Sequence, residues 1–443
     1  MLTFQIPYAR SYMQITIDKD RINGVLNSRT HDYRPVLSQQ EIVQKALENP
    51  IASERLSELA KGARNVLLIT SDHTRPVPSK VTLPIMLQEI RRKNPEVKVK
   101  ILIATGFHRL TTCEEMLQKF GREIVENEEI INHDSRDREN MVYKGTLPSG
   151  GELWLNSLVD WADLVVSEGF IEPHFFAGFS GGRKSILPGI ASQKTVLANH
   201  CARFIADSNA RTGKLQDNPI HKDMLFAADA AKLQFILNVV IDSDKKVITA
   251  FAGHPQDAHM KGCQFVELHA QVKKVGADIV ITSNGGYPLD QNIYQAVKGM
   301  TAAEACVREG GVIIMVAACN DGHGGEEFYH WFKHAASPKE VADKISKIPQ
   351  SETLADQWEA QILARILLKC SVILVTHQCD PQMIRDMHMQ HAPEMVKALE
   401  LAESMVGKEA GITVIPDGVS VIVEENRCCA NDLLNLNKGE STI

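Results

Sequence analysis

The sequence lacks the features that would place it in several common functional classes. It has no run of about 18 apolar residues, which a membrane-spanning helix would need. Its first residues show no basic-then-apolar signal pattern. It also lacks a basic tract, and its net charge is -7 at pH 7. We therefore expect a cytoplasmic protein with no membrane association and no nucleic-acid partner.

The cysteines form no pattern that indicates disulfide or zinc chemistry. There are nine, and no Cys-x-x-Cys pair occurs. Cys428 and Cys429 are adjacent, which suits neither a mutual disulfide nor a zinc knuckle. This indicates free thiols in a reducing compartment. Residues 426–443, which include the last two cysteines, have no clear apolar pattern, and we predict a disordered tail there with no assignable role.

The composition is that of a folded protein with two or three domains, since 44% of its 443 residues are hydrophobic and 23% are charged. Short apolar runs typical of buried strands alternate with helical stretches. These runs are residues 65–70, 97–104, 163–166, 235–240, 278–282, 311–316 and 372–375. The alternation predicts α/β layers with mainly parallel sheets.

A long helical stretch at residues 255–276 separates the first four runs from the rest, and we place a domain boundary there. We predict an N-terminal cofactor-tethering α/β domain over residues 1–270 and a C-terminal α/β domain over residues 275–400. The strand-like segments near the end of the chain would return to the first domain, so that residues 409–425 complete it.

Polar segments follow several of the predicted strands, where ligands bind in open α/β sheets. Residues 71–79 include Arg75, which can bind phosphate or carboxylate through two hydrogen bonds. Asp72 and Thr74 could hold sugar hydroxyls or backbone amides. A loop with an Asx turn and a surface arginine would show the same residues, so both interpretations stay open for this segment alone.

The segment after the next strand places His108 at a strand end, in Ala104-Thr-Gly-Phe-His-Arg109. A single histidine there is more often structural than catalytic. Other histidines occur in pairs near an aspartate, at His254 and His259 and at His388 and His391. Neither pair has a recognised zinc-site spacing, and we interpret both as surface residues.

The segment 168–191 combines a histidine, His174, and a lysine, Lys184, with a cluster of glycines. Glycine lets the backbone approach a ligand closely. Histidine can move a proton near neutral pH, and a desolvated lysine can bond covalently to a carbonyl-like carbon. The segment superficially resembles a phosphate-binding P-loop, but Arg183 occupies the position of the second required glycine, and no strand immediately precedes the loop. The P-loop interpretation is therefore excluded.

The fourth segment begins with a Gly-Gly turn and continues as a predicted helix. Four polar side chains share one face of that helix, namely Gln291, Tyr294, Gln295 and Lys298. An ordinary solvated face would show the same spacing. However, a helix that begins at a strand end is a good site for an anion such as a carboxylate.

Together, these segments resemble the nickel-pincer-dependent racemase and epimerase family, from about residue 4 to residue 424. The motifs that carry the resemblance are Ser71-Asp-His-Thr-Arg-Pro76, Ala104-Thr-Gly-Phe-His108, His174-Phe-Phe-Ala-Gly-Phe-Ser-Gly-Gly-Arg-Lys184, Asn199-His200, Gly285-Gly-Tyr-Pro-Leu-Asp-Gln-Asn-Ile-Tyr-Gln-Ala-Val-Lys298 and Asp356-Gln-Trp358. The resemblance implies two α/β domains with the active site in the cleft between them.

The resemblance also implies an isomerase that interconverts D- and L-lactate through a pyruvate intermediate. Hydride would be transferred to a nickel-bound pyridinium-3-thioamide-5-thiocarboxylic acid mononucleotide covalently bound to Lys184. Cofactor-maturation proteins would be transient partners. The alternative is a racemase or epimerase of another 2-hydroxy acid with the same cofactor.

The resemblance assigns a role to each motif residue. The acid/base pair would be His108 and His174, and the nickel ligand would be His200. The cofactor would be bound by Asp72, His73, Thr74 and Arg75. The substrate would be contacted by Gln295, Lys298, Tyr294 and Trp358. The chemistry agrees, because the α-proton of lactate is very weakly acidic. Removing hydride while a histidine takes the hydroxyl proton avoids a carbanion, and two histidines suit two enantiomers.

A different class of function, a nucleotide- or phosphate-binding protein without nickel chemistry, is the competing hypothesis. The joint presence of His108, His174, Lys184 and His200 argues against it, since a non-catalytic binder would need none of the four in this arrangement.

Overall fold

A computed structural model describes residues 1–424, apart from the side chain of His31. The predicted tail at residues 426–443, with Cys428 and Cys429, lies outside the described residues. Among the helices of residues 1–424, none combines the length and the apolar character needed to cross a membrane.

The described chain contains strands and α-helices in alternation over most of its length. The strands are β1 (Leu2–Tyr8), β2 (Ser11–Ile17), β3 (Ile22–Val25), β4 (Asn65–Ser71), β5 (Lys98–Ala104), β6 (Glu129–Asn132), β7 (Met141–Thr146), β8 (Glu152–Asn156), β9 (Leu164–Phe170), β10 (Pro173–His174), β11 (Gly178–Phe179), β12 (Leu233–Ile241), β13 (Val247–Gly253), β14 (Gln271–Lys273), β15 (Ala277–Ser283), β16 (Val307–Val316), β17 (Ser371–Val375), β18 (Gln390–Ala392), β19 (Ile412–Ile415) and β20 (Ile422–Glu424).

The α-helices are α1 (Gln39–Glu48), α2 (Leu56–Leu59), α3 (Ser79–Arg91), α4 (Cys113–Phe120), α5 (Arg122–Asn127), α6 (Leu158–Trp161), α7 (Gln193–Asn199), α8 (Ala202–Ala206), α9 (Pro219–Ala230), α10 (Pro255–Ala270), α11 (Ile293–Cys306), α12 (Glu326–Lys333), α13 (Pro338–Ile345), α14 (Gln357–Lys369), α15 (Pro381–Asp386) and α16 (Met395–Val406). Short 3-10 helices occupy Lys19–Arg21, Arg29–Asp32, Ala60–Gly62, Gly182–Ser185 and Gln350–Glu352.

Two six-stranded sheets organise the molecule. The first has the order β13-β12-β9-β4-β5-β6, and its only antiparallel pair is β12 with β13. The second has the order β18-β17-β16-β15-β19-β3, and all its pairs are parallel. The predicted α/β fold with mainly parallel sheets is confirmed.

Continuous apolar strands form because both faces of each sheet are covered. In β4, Leu67 and Ile69 pack into a central hydrophobic cluster that also includes Val280 and Ile313 of the second sheet. The alternate residues, such as Leu68, belong to a separate cluster on the other face of the first sheet. The central cluster therefore joins the two sheets.

The ends of the chain differ from the prediction, which assigned residues 409–425 to the first domain. Strand β19 pairs with β15 and β3 and is an interior strand of the second sheet. All four β19 residues are buried, as expected for an apolar strand covered on both faces. The hairpin of β1 and β2 also packs its buried residues against the second sheet. Only β20 shows the predicted association, through Ile422, which packs with residues of the first half.

Candidate active site

A cavity lies between the carboxyl ends of β4, β5 and β9 and the helices α11 and α14. Parallel neighbouring strands end at the same edge of a sheet, so the loops after them come together there. The predicted site residues that line the cavity are Asp72, Arg75, His108, His174, Lys184, His200, Tyr294, Gln295, Lys298 and Trp358. The structure thus brings together residues as distant in the sequence as Asp72 and Trp358.

Asp72 and His108 form a close pair at the ends of β4 and β5. Nδ1 of His108 lies 2.5 Å from Oδ2 of Asp72, and the Thr74 hydroxyl donates to Oδ1 at 2.7 Å. Burial alone would raise the pKa of Asp72, but the His108 imidazole and the Arg75 guanidinium outweigh it and hold that pKa below its usual range. An ionised Asp72 fixes the proton of His108 on Nδ1 and leaves the Nε2 lone pair for a ligand.

The two other residues of the predicted cofactor-binding motif do not line the cavity. Thr74 acts within the Asp72–His108 pair, and it also accepts a hydrogen bond from Arg75 at 3.0 Å. The His73 ring is turned away, with Nδ1 3.3 Å from the Thr111 hydroxyl. Of this motif, Asp72 and Arg75 face the site.

His174 and Lys184 lie side by side on the glycine-rich loop, with 3.4 Å between Nε2 and Nζ. The backbone N–H of Ala177 donates to Nδ1 of His174 at 3.2 Å, so the neutral ring carries its proton on Nε2. Burial lowers the pKa of His174 well below its usual range. Burial, and then nearby positive charges, do the same for Lys184. The geometry therefore favours a neutral amine, which is a nucleophile.

His200 follows α7, and its ring presents one nitrogen to the cavity side. Nδ1 donates to the Val196 carbonyl at 3.1 Å, which leaves Nε2 as the nitrogen with a free lone pair. Phe176 and Trp358 pack edge-on against the ring, with centroids 5.1 Å and 5.0 Å away. Burial, and then the charge of Lys184, lower the pKa of His200 to about 3. A neutral imidazole fixed through its other nitrogen is the usual form of a histidine metal ligand.

The opposite wall of the cavity comes from α11 and α14. Asn292 caps α11 by accepting a hydrogen bond from the backbone of Gln295, which sets the direction of the helix at its start. Lys298 donates to Oε1 of Gln295 at 2.5 Å. The indole N–H of Trp358 donates to the Tyr294 hydroxyl at 2.7 Å. This wall offers an ammonium group, an amide and a phenol to a small anion.

Two buried glutamates that were not among the predicted site residues also line the cavity. Glu168 accepts hydrogen bonds from Thr70 at 2.5 Å, from Ser79 at 2.6 Å and from Thr82. It lies on β9, which continues four residues beyond the predicted end at residue 166, to Phe170. The sequence of β9 changes from apolar to polar residues before the strand ends. That change is the signal that could have identified Glu168.

Glu359 is fully buried, and within the described residues neither of its carboxyl oxygens has a hydrogen-bond partner. Burial raises its pKa to about 8, against the opposing effect of Lys298. Its position in the first turn of α14 resembles an ordinary helix-start glutamate, so the sequence contains no signal for it.

Models of two families match the chain in succession. The model of the lactate racemase N-terminal domain matches residues 8–213, and the model of the lactate racemase C-terminal domain matches residues 272–423. The lactate racemase of Thermoanaerobacterium thermosaccharolyticum is 59% identical over 425 residues, which are 96% of this chain and 100% of that protein. The lactate racemase of Lactiplantibacillus plantarum is 53% identical over 424 residues, with the same coverage.

Solved structures show the same likeness in three dimensions. The lactate racemase apoprotein from Thermoanaerobacterium thermosaccharolyticum superposes with a TM-score of 0.91 at 58% identity, over 96% of this chain and 100% of that one. A Thermotoga maritima protein superposes with a TM-score of 0.65 at 19% identity, over 88% of this chain and 100% of that one. At that identity the second likeness concerns the fold alone.

Proposed function

The chain belongs to the lactate racemase family, and from this premise we propose that it interconverts D- and L-lactate with a nickel-pincer nucleotide tethered to Lys184. Its full-length relatives are lactate racemases, so the chain is a racemase, which is an isomerase. The observation that carries the proposal is the meeting of Lys184, His174 and His200 at one cavity, each with a pKa that favours its neutral form.

His200 fits the part of a single protein ligand to nickel. Among residues 1–424, no group of three or more His, Cys, Asp and Glu residues is placed to hold a metal ion. A nickel ion on Nε2 of His200 would therefore take its other ligands from the bound nucleotide. Nickel accepts a mixed set of sulfur and imidazole ligands in tetragonal geometry. When bound, the nickel nucleotide would supply a hydride acceptor and donor.

Lys184 and Arg75 are the residues best placed to hold the nucleotide. Lys184 offers a neutral amine for the covalent link, and Arg75 offers a guanidinium group of the kind that binds phosphate. The glycine-rich loop around Lys184 lets backbone approach closely. Asp72 and Thr74 would act on the bound nucleotide through His108, which Asp72 contacts directly. The His73 ring contacts Thr111 and does not line the cavity, so it is the motif residue least suited to bind the nucleotide.

In their neutral forms, the two proposed acid/base histidines are different tautomers. His108 has a lone pair on Nε2, because its Nδ1 faces an ionised Asp72. His174 has a proton on Nε2, because its Nδ1 accepts a backbone hydrogen bond. A ring with a lone pair on Nε2 can take the hydroxyl proton of a 2-hydroxy acid, and the imidazolium so formed can return that proton to a carbonyl oxygen, while a ring with its proton on Nε2 can donate a hydrogen bond to the same oxygen. This suits a reaction that must run equally in both directions.

The substrate carboxylate would bind at Lys298 and Gln295, beside the Tyr294 hydroxyl. Burial, and then the charge of Arg75, lower the pKa of Lys298 to about 8, and a bound carboxylate would raise that pKa and stabilise the ammonium form. Trp358 contacts Phe107 at 5.6 Å between centroids, which narrows the cavity and favours a small acid such as lactate.

The setting that we propose is the cytoplasm, with maturation proteins that supply the nucleotide. The seven cysteines within residues 1–424 are all free thiols, which agrees with a reducing compartment.

The test is to produce the chain together with cofactor-maturation proteins and to measure both the mass of the Lys184 peptide and the racemisation of D-lactate. We expect an adduct on Lys184 and lactate turnover, and Lys184→Arg should lose both, because a guanidinium is a poor nucleophile at neutral pH. His200→Ala should keep the adduct and lose nickel. An unmodified Lys184 in protein that racemises lactate would contradict the proposal.

A further inference from the structure

The turn that carries Arg75 has few backbone hydrogen bonds of its own. The N–H of Arg75 donates to the carbonyl of Asp72 at 3.3 Å, and the N–H of Thr74 donates to Oδ1 of Asp72 at 3.1 Å. The chain then continues through Pro76 and Pro78, which have no backbone N–H to donate. The position of the turn on its far side therefore depends on contacts from another element.

Lys119 supplies such a contact from α4. It lies in the last turn of that helix, and its Nζ donates to the carbonyl of Arg75 at 2.9 Å. A lysine at this position of a helix commonly stays with the last carbonyls of its own helix or in water. Lys119 instead contacts a turn 44 residues earlier in the chain, and both side chains are half-buried. A hydrogen bond from a charged donor is stronger than a neutral one.

The guanidinium of Arg75 points from this turn toward the cavity. Arg75 lines the cavity, and its Nη1 donates to the Thr74 hydroxyl at 3.0 Å. Lys119 holds the carbonyl of Arg75, and Thr74 holds one edge of the guanidinium. Because a guanidinium has five N–H donors, most of them remain for an anionic ligand.

We propose that Lys119 is a positioning residue for Arg75, whose backbone it holds at the cavity so that the guanidinium is aligned for the phosphate of a pyridine mononucleotide. In the described part of the chain, Lys119 itself is not among the residues that line the cavity. A prealigned guanidinium binds with a smaller loss of conformational freedom. The inference rests on the proposed role of Arg75 in nucleotide binding.

The test measures the affinity of the chain, produced without maturation proteins, for nicotinic acid mononucleotide by isothermal titration calorimetry. Lys119→Met keeps most of the side-chain length but loses the ammonium group, and it should weaken binding about tenfold. Lys119→Arg keeps a charged donor and should stay within about threefold of the wild type. Lys80→Met, which changes an exposed lysine on α3, is the matched control and should leave the affinity unchanged.

A double-mutant cycle separates positioning from a general structural effect. Arg75→Ala should weaken binding, and adding Lys119→Met to it should have no further effect, because Lys119 acts only through Arg75. An equal loss from Lys119→Met in both backgrounds would overturn the proposal. Where Arg75→Ala binds too weakly to measure, Lys119→Arg decides: affinity close to the wild type supports the proposal, and affinity as low as that of Lys119→Met overturns it.

The same measurements distinguish failure of this inference from failure of the proposed function. Wild-type affinity in Arg75→Ala, or no binding by the wild type, would contradict the nucleotide-binding role of Arg75 and the inference with it. Weakened binding in Arg75→Ala together with wild-type affinity in Lys119→Met would overturn the inference alone. If circular dichroism shows that Lys119→Met does not fold, Lys119→Gln, which also lacks the charge, replaces it in every comparison.

Discussion

The ionised form of Glu359 is destabilised in the folded protein, and binding of a proton or a ligand would remove that destabilisation. Its carboxyl group borders the cavity, is fully buried and has no hydrogen-bond partner within the described residues. A buried carboxylate without partners is unfavourable, so the folded protein favours the protonated acid. A protonated Glu359 can donate a hydrogen bond, whereas an ionised one would repel the carboxylate of a substrate held at Lys298.

We therefore predict that Glu359 makes folding stability depend on pH. The pKa of Glu359 is raised from 4.5 to about 8 in the folded protein. A raised pKa means that the stabilising proton is present in full below pH 4.5 and is lost as the pH rises toward 8. Relative to Glu359→Gln, which cannot ionise, the wild type should lose on the order of 1 kcal/mol or more of unfolding free energy between pH 5 and pH 8.

Urea denaturation of both proteins at several pH values measures this difference. Glu359→Gln has nearly the same shape as the wild-type side chain, so a change in packing would shift both ends of the pH range equally. Parallel pH profiles for the two proteins would show that Glu359 is not protonated in the folded state.

At the scale of single elements, the glycine-rich loop has little room for side chains at Gly182. Gly182 has a φ of +53°, and a Cβ atom there would lie 2.7 Å from Cγ of His259. Its backbone N–H donates to Oδ1 of Asn238 at 2.7 Å. The prediction that His259 lies at the surface is wrong, since it is 3% exposed and its Nε2 lies 2.8 Å from the Ser180 carbonyl. The loop is thus held from β12 and α10 at once, which fixes the start of the 3-10 helix that contains Lys184.

Gly182→Ala should therefore destabilise the protein by about 2 kcal/mol or more, because both the backbone conformation and the space exclude a methyl group. Gly62→Ala is the matched control. Gly62 has no positive φ and no atom within 4 Å of its Cβ position, so the change should cost less than about 0.5 kcal/mol. Equal unfolding free energies for the two variants, measured in urea, would show that the loop accommodates a methyl group at Gly182 without loss of stability.

Local pattern was enough to predict many elements but not their partners. The strands β4, β5, β15 and β17 match apolar runs, because an interior parallel strand needs apolar residues on both faces. The four residues of β19 form the same kind of run, yet nothing in them specifies the second sheet rather than the first. The partially exposed hairpin of β1 and β2 has no such run, and it was missed.

The same holds for the candidate site, where the residue types could be predicted from the sequence but the contacts between residues could not. His174, Lys184 and His200 could be proposed from residue type and motif. The lack of a hydrogen-bond partner for the Glu359 carboxyl group within the described residues could not, because it depends on which residues pack around that group. Burial changes the pKa of a glutamate, and the sequence pattern does not show whether an isolated charged residue is buried.

At the scale of the whole molecule, the two sheets are not joined by one linker. The chain passes through the second sheet at β3, builds the first sheet from β4 to β13, and then returns to complete the second. The hydrophobic cluster that contains residues of both sheets adds to this connection. Residues of both parts line the cavity, and contacts between the parts also occur close to His200.

Two glutamine side chains cross between the parts close to His200. Gln361 of α14 donates to the Ala202 carbonyl at 2.9 Å, and Gln350 donates to the Ala198 carbonyl at 2.9 Å. These carbonyls flank His200 on either side. The α14 region therefore holds the backbone of the proposed nickel ligand from the opposite half of the molecule.

Gln361→Ala should lower the unfolding free energy by about 1 kcal/mol, the usual value of one hydrogen bond, and should loosen α8 locally. Amide hydrogen exchange in α8 should accelerate by a larger factor than exchange in β4, which is an interior strand of the first sheet. Gln382→Ala, which removes an exposed hydrogen bond to Asp386 within α15, is the control and should change neither region. Equal acceleration in α8 and β4 would mean that Gln361 contributes only to global stability and does not fix the segment that carries His200.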